Sequence, residues 1–185
     1  MQVPPIEQGD ARSPFDAMGH YHRRISRVLV GLEALAAEAA ATPPPDLPVR
    51  VQEVVSALDA DLGMHMADEE SDIFPAVLAA AGSQARRAQA FALISALLVE
   101  HRELAERWHA LRVPLLALGS GIAVGFPAAD ASDFIIRLRV HLEREDFELS
   151  ELLRLLDPAL SRRIATAIAT RHAVEEGLEK GPGSN

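Results

Sequence analysis

The sequence predicts an all-α protein: an up-down-up-down four-helix bundle with a short extra C-terminal helix. Three observations predict it. Apolar residues recur at three-and-four spacing over long stretches, the pattern of a helix that buries one face. Only 4% of the residues are aromatic, whereas strands favour aromatic and β-branched side chains. Proline and glycine clusters cut the chain into four long segments and a shorter one, and long helices with mostly short connections form bundles.

The first helix starts at Ser13-Pro14, an N-cap followed by a proline in the first turn. It runs to about Ala41, where Thr42-Pro43-Pro44-Pro45 breaks it. The second runs from about Asp46 to Ala81 and stops at Gly82; Pro75 inside it is expected to kink it or end its regular part early. The third begins near Ser83 and fades toward Leu118, with Pro114 disturbing its last turns. Gly119, Gly121, Gly125 and Pro127 make the next segment a loop. The fourth spans about Ala128 to Leu156, ahead of Asp157-Pro158, and the fifth covers about Pro158 to Glu176. Residues 14–176 are thus expected as a single helical domain, with 1–13 and 177–185 as flexible tails. The apolar face of the fifth helix (Leu160, Ile164, Ala167, Ile168) docks either on the bundle or on another subunit, the second case being a homodimer.

Charge and composition narrow the function. The 18 Lys and Arg against 27 Asp and Glu leave a net charge of −9, which repels phosphate backbones and argues against nucleic-acid binding. With no cysteine, thiol catalysis, iron–sulfur clusters and thiolate zinc sites are excluded, so any metal must be held by His, Asp and Glu. The first residues lack a basic-then-apolar signal pattern and no apolar run is long enough to span a bilayer. A cytoplasmic protein with no membrane partner is expected.

The apolar stripes are interrupted in a telling way. In the second helix the stripe runs Val54, Leu58, Leu62, then His65 and Glu69, then Ile73. In the fourth it runs Phe134, Leu138, then His141 and Glu145, then Leu149, Leu152 and Leu156. The same H-x-x-x-E interruption occurs twice. In the third it runs Ile94, Leu97, then His101, then Leu104, Trp108 and Leu111. In the first helix, centred on Ile25, Leu29, Leu32 and Ala36, two histidines compete. At about 100° per residue, His22 lies about 60° from Ile25, on the edge of the core face, and His20 about 140° away. Phase favours His22.

Height agrees with phase. His22 lies about 20 residues before the break at Thr42, and His65 about 19 after Asp46. His101 lies about 18 residues after Ser83 and His141 about 13 after Ala128. With about 1.5 Å of rise per residue, all six groups fall in one slab.

Taken singly, each histidine reads as a hydrogen-bonded core residue, each H-x-x-x-E as a surface pair, and Asp68-Glu69-Glu70 as a solvated charge run. Jointly they do not. Four imidazoles and two carboxylates buried together are costly unless something neutralises and bonds them. A single metal does not need six such ligands from four helices. Two metals do, with carboxylates that bridge and imidazoles that terminate. Mixed imidazole and carboxylate ligation suits iron, manganese or zinc.

These segments resemble the hemerythrin-like (HHE cation-binding) proteins. The resemblance is carried by His22-Arg-Arg-Ile25, by His65-Met-Ala-Asp-Glu69-Glu70 leading into Ile73-Phe74-Pro75, by Glu100-His101, and by His141-Leu-Glu-Arg-Glu145. It covers roughly residues 14–156. It implies a centre of two non-haem iron ions, oxo- or carboxylate-bridged, with Glu69 and Glu145 as bridges and His22, His65, His101 and His141 as terminal ligands. The sequence departs from the oxygen-carrying hemerythrins at Ala105, where those proteins have a further histidine one turn after the third-helix ligand. His109 stands too far along the helix to replace it. The set of four His and two Glu is similar instead to that of iron-sensing hemerythrin-like domains and of bacterial di-iron proteins that repair iron–sulfur centres.

Two functional classes follow from this resemblance. One is a protein that binds or senses O₂, NO or iron and redox state through an open iron position. The other is a di-iron enzyme that reduces peroxide or NO or donates iron for repair, with an unidentified redox partner. Tyr21 and Trp108 are aromatic neighbours that read more readily as packing than as redox groups.

Overall fold

The computed structural model describes residues 13–40, 44–122 and 125–179, and every regular element among them is helical. Helix α1 spans Pro14–Ala40 and α2 spans Leu47–Asp68. A π-helical turn, π1 at Glu69–Ile73, carries α2 directly into α3 at Phe74–Ala80. Helix α4 spans Gln84–Gly119. Helix α5, Ala128–Arg144, passes through a second π turn, π2 at Glu145–Leu149, into α6 at Ser150–Leu153. Helix α7 spans Pro158–Glu179.

Side-chain caps start three of these helices. The Ser13 hydroxyl accepts from the Asp16 backbone N–H at 3.2 Å, and the Ser83 hydroxyl accepts from Arg86 N–H at 3.3 Å. The Asp157 carboxylate accepts from the N–H groups of Ala159 and Leu160, both at 2.9 Å, with Pro158 in the first turn where no N–H is needed. Gly121 has φ 76°, and this left-handed residue follows the end of α4.

Several boundaries differ from expectation. Pro114 does not disturb α4, which continues through it to Gly119. Leu111 and Leu115 are buried on either side of the proline, so packing holds the turn despite the missing N–H. At Pro75 the expectation holds: the regular part of the helix ends early, at Asp68, and a π turn, with Phe74 N–H donating to the Glu69 carbonyl five residues back, leads into α3. The segment after α5 ends at Leu153 rather than Leu156. Helix α7 runs to Glu179, so residues 177–179 are helical and not tail. The rest of the expected tails, 1–12 and 180–185, lies outside the described residues.

Helix α1 packs on α2 and on α5, and α4 packs on the same two, so four long helices neighbour one another in a closed cycle. Helix α7 lies against α1 and π1. Its face is formed by Ile164, Ala165 and Ile168, all buried in the core, while Ala167 points to solvent. The fifth helix therefore docks on its own chain. No helix among the described residues is long and apolar enough to cross a membrane.

The core falls into two apolar clusters. One gathers Ile25, Leu29, Leu58, Leu62, Leu104, Leu111, Leu138 and their neighbours. The other gathers Met18, Ile73, Phe74, Leu97, Leu149 and the face of α7. On every long helix the stretch between the two clusters is polar. His22 falls between Met18 and Ile25, and His65 and Glu69 fall between Leu62 and Ile73. His101 falls between Leu97 and Leu104, and His141 and Glu145 between Leu138 and Leu149. The fold thus brings six polar side chains to one level.

Candidate metal centre

All six side chains are buried, from 0% exposure for Glu69 and Glu145 to 4% for His22. They form two groups of possible ligands, His22, His65, Glu69, Glu145 and Glu69, His101, His141, Glu145, each with its donor atoms within 4.8 Å of one another. Both carboxylates belong to both groups. The imidazoles divide accordingly: His22 and His65 have ring centroids 4.9 Å apart, as do His101 and His141, whereas His65 lies 6.5 Å from His101.

Glu145 is the hub. Its Oε2 lies 3.2 Å from the Nε2 atoms of His22 and His65, and its Oε1 lies 2.8 Å from His141 Nε2 and 3.5 Å from His101 Nε2. Glu69 Oε2 is 3.2 Å from His101 Nε2 and 3.7 Å from His65 Nε2. These approaches lack hydrogen-bond geometry. Among the described residues, the buried side-chain N and O atoms with no hydrogen-bond partner are the four Nε2 atoms, the four oxygens of Glu69 and Glu145, and His20 Nε2. An unpartnered buried polar group costs about 1–3 kcal/mol, and eight of them converging on one point is the arrangement a cation relieves. The donors present therefore fit a metal.

A family model, the Hemerythrin HHE cation binding domain, matches residues 13–153. The chain belongs to that family. No curated protein and no solved structure gives a significant match.

In this hemerythrin-domain chain the outer side of the rings is built for ligation too. His22 Nδ1–H donates to Asp146 Oδ1 at 2.7 Å, His101 Nδ1–H to Glu70 Oε1 at 2.7 Å, and His141 Nδ1–H to Glu100 Oε2 at 2.8 Å. A carboxylate only accepts, so each of these rings carries a proton on Nδ1 and turns Nε2 inward, the nitrogen left for a metal to take. Phe74 stacks on His101 with centroids 5.7 Å apart, fixing that ring from a further side.

Glu70 and Asp146 each directly follow a carboxylate of the centre and sit on the π turns. A π turn widens the helix by one residue, and such turns recur at functional sites. Here each begins at the ligand-type residue itself: Ser150 N–H donates to the Glu145 carbonyl as Phe74 N–H does to Glu69. The turn lets Glu145 face inward while its neighbour Asp146 reaches His22 across the helix pair.

In the metal-free protein these buried groups shift one another's titration. Burial pulls His22 and His101 down, but the carboxylates beside them outweigh it, Asp146 and Glu145 for His22 and Glu145 and Glu69 for His101. The two histidines stand at about 9 and about 10. His141 is raised against burial by Glu145 and Glu100. Burial and the charge of Glu145 push Glu69 up, whereas the surrounding histidines, His65 foremost, outweigh burial and hold Glu145 well below the usual carboxylate range.

The six residues singled out by phase and height are the six that the fold brings together. His20, the competitor of His22, belongs to neither group; it is half-buried with its ring edge-on to Tyr21 at 6.1 Å. Ala105 and His109 are exposed and belong to neither group. Trp108 is a packing residue against Phe134 whose Nε1–H donates to Asp59 at 2.9 Å. Sequence reasoning missed Glu70, Asp146 and Glu100. Their signal was adjacency, since each sits beside a residue of the centre on the chain.

A substitution pair tests the first-helix assignment. His22→Ala is expected to leave one ion under-coordinated and weakly held, whereas His20→Ala keeps full metal content. Metal counts on the two variants decide it; the larger loss in His20→Ala would reverse the assignment.

Proposed function

We propose that this chain is a non-haem di-iron protein of hemerythrin type that binds or senses O₂, NO or iron and redox state. In this reading the cycle of four long helices is an up-down-up-down bundle, and Glu69 and Glu145 bridge two ions capped by His22 with His65 and by His101 with His141. The observation that carries it is the pair of donor groups that share both carboxylates. A single cation would leave half of the buried imidazole lone pairs without a partner.

Each ion would receive two imidazoles and two carboxylate oxygens, short of a six-coordinate shell, so a position stays open for a small ligand. Iron bound there would supply a redox-active Lewis acid able to take a diatomic molecule. The protein's own part is to hold the ring tautomers through Asp146, Glu70 and Glu100 and to exclude bulk water, with apolar clusters on both sides of the slab. The mix of imidazole and carboxylate also accommodates manganese or zinc.

Elemental analysis with a visible spectrum tests the reading. The expected result is two ions per chain, predominantly iron, with a ligand-to-metal band in the near-ultraviolet on oxidation and a new spectrum with NO. A content near zero, unimproved by anaerobic iron reconstitution, would sink it. Rapid turnover of peroxide by the loaded protein would instead favour the enzyme reading.

A further inference from the structure

Helix α7 begins at Pro158, beyond the last residue of the family match at 153, yet two of its side chains reach the residues that flank the metal centre. The centre has two similar halves. On the α4–α5 side, Glu100 precedes His101 and Arg144 precedes Glu145 along the chain. Those two preceding residues pair directly, and Glu100 also accepts the Nδ1–H of His141. Ligand-bearing helices on that side are thus tied by a cation and an anion of their own.

On the α1–α2 side the equivalent residues are Tyr21, before His22, and Asp68, before Glu69. Where the other half has Arg144, this half has an acid. Asp68 is only 4% exposed, and its side-chain partners among the described residues are both on α7. His172 Nε2 lies 2.6 Å from Asp68 Oδ2, and the same ring lies 3.2 Å from the Tyr21 hydroxyl. Arg171 forms ion pairs with Asp68 and with Asp72, which sits on π1 three residues after Glu69. His172 therefore bridges Tyr21 and Asp68, whose counterparts Glu100 and Arg144 pair directly in the other half, and Arg171 supplies the missing positive charge.

Resting on the metal reading above, we propose that α7 is a working part of the metal centre: Arg171, which neutralises the buried Asp68, and His172, which bonds it to Tyr21, are positioning residues that hold the turns carrying Glu69 and His22. A buried carboxylate without a countercharge must be hydrated or neutralised. Freed from α7, Asp68 would draw the start of π1 toward water and add negative charge one residue from Glu69. Either effect loosens the hold on the ion that His22 and His65 cap.

The full-length chain, loaded anaerobically with Fe²⁺, provides the test. The rate at which a chelator removes iron is measured for the wild type, Arg171→Gln, His172→Gln, Ile168→Ala and the double variant Asp68→Asn/Arg171→Gln, alongside the melting of each metal-free form. Ile168 is buried on α7 but belongs to none of these polar contacts, so its variant reports docking alone. Arg171→Gln and His172→Gln are expected to speed iron loss about 10-fold, the low end of what removing a direct outer partner of a ligand costs, since both act one residue further out. The double variant, which leaves no buried unpaired charge, is expected to return to within about threefold of the wild type. Ile168→Ala speeding iron loss as much as Arg171→Gln at equal loss of melting temperature would overturn the proposal, as would a double variant no slower than Arg171→Gln. A wild-type chain that takes up no metal would overturn the di-iron reading and this proposal together.

Discussion

Glu145→Ala is expected to remove both ions, the largest loss of metal from any single substitution in this chain. Among the described residues, Glu145 is the one side chain whose two oxygens together lie within 3.5 Å of all four inward-facing imidazole nitrogens. Its loss strips a donor from each of the two groups at once. Glu69→Ala does the same in kind, but Glu69 approaches only His65 and His101. In the metal-free protein Glu145→Ala also deprives His22, His101 and His141 of the carboxylate that raises them. Breaking a buried pair from one side costs about 3–5 kcal/mol, so the empty variant should melt early as well as bind poorly. By contrast, Glu70→Ala and Asp146→Ala remove only an outer hydrogen bond and should weaken binding by about 10–100-fold, leaving metal bound at saturating concentration. Asp68→Ala, which touches no ring of the centre, should lose less metal than either glutamate. Iron per chain, measured after gel filtration for all five variants, decides the matter; equal losses across the set would show that Glu145 is no hub.

Phase and height were legible in the sequence because they are local properties of a helix. Once Leu62 and Ile73, or Leu138 and Leu149, are read as core, the residues between them on the same face are fixed by geometry, and His22 separates from His20 by the same reasoning. The π turns were not legible. Shifting a hydrogen bond from four residues to five changes no composition, and Glu69 and Glu145 lie in phase with their histidines either way. Glu70 has the look of a solvated charge in a run of acids and Asp146 carries no signal of its own; both are exposed, and their carboxylates nevertheless reach buried rings. Pro114 was over-read, since a proline penalty is a local quantity and the buried leucines around it outweigh it. The contact of Tyr21 with His172 spans 151 residues and has no local trace at all.

Metal binding is expected to strengthen steeply with pH, and the gain in melting temperature with it. In the metal-free protein at neutral pH, His22 at about 9 and His101 at about 10 hold protons on nitrogens that a metal must take. Displacing two protons makes the apparent affinity rise about 100-fold per pH unit below pH 9, tenfold for each. The metal-free fold moves the other way. A histidine raised above its ordinary 6.5 stabilises the fold fully below that value and loses the contribution as pH climbs through the folded value. For His22 and His101 that loss begins near pH 6.5 and is complete near pH 9 and 10 respectively, and His141 is shifted in the same direction. Glu69, raised by burial and by Glu145, adds to the loss, since its ionisation in the core costs stability as pH rises above the ordinary carboxylate range. Glu145 acts oppositely, but being held low it has given its full contribution well before neutrality and changes nothing between pH 7 and 9. The bound protein escapes this decline because the metal replaces the protons. At a free ion concentration about 100 times the dissociation constant, binding adds about 2.7 kcal/mol, or about 5–10 °C of melting temperature for a chain of this size. Melting scans with and without anaerobic Fe²⁺ at fixed concentration, from pH 6 to pH 8.5, measure the difference directly. The gap should widen with each step in pH, and calorimetry in buffers of different ionisation enthalpy should show protons released on binding. A gap that stays level or narrows, with no proton release, would mean that the metal does not compete for the imidazole nitrogens of His22 and His101.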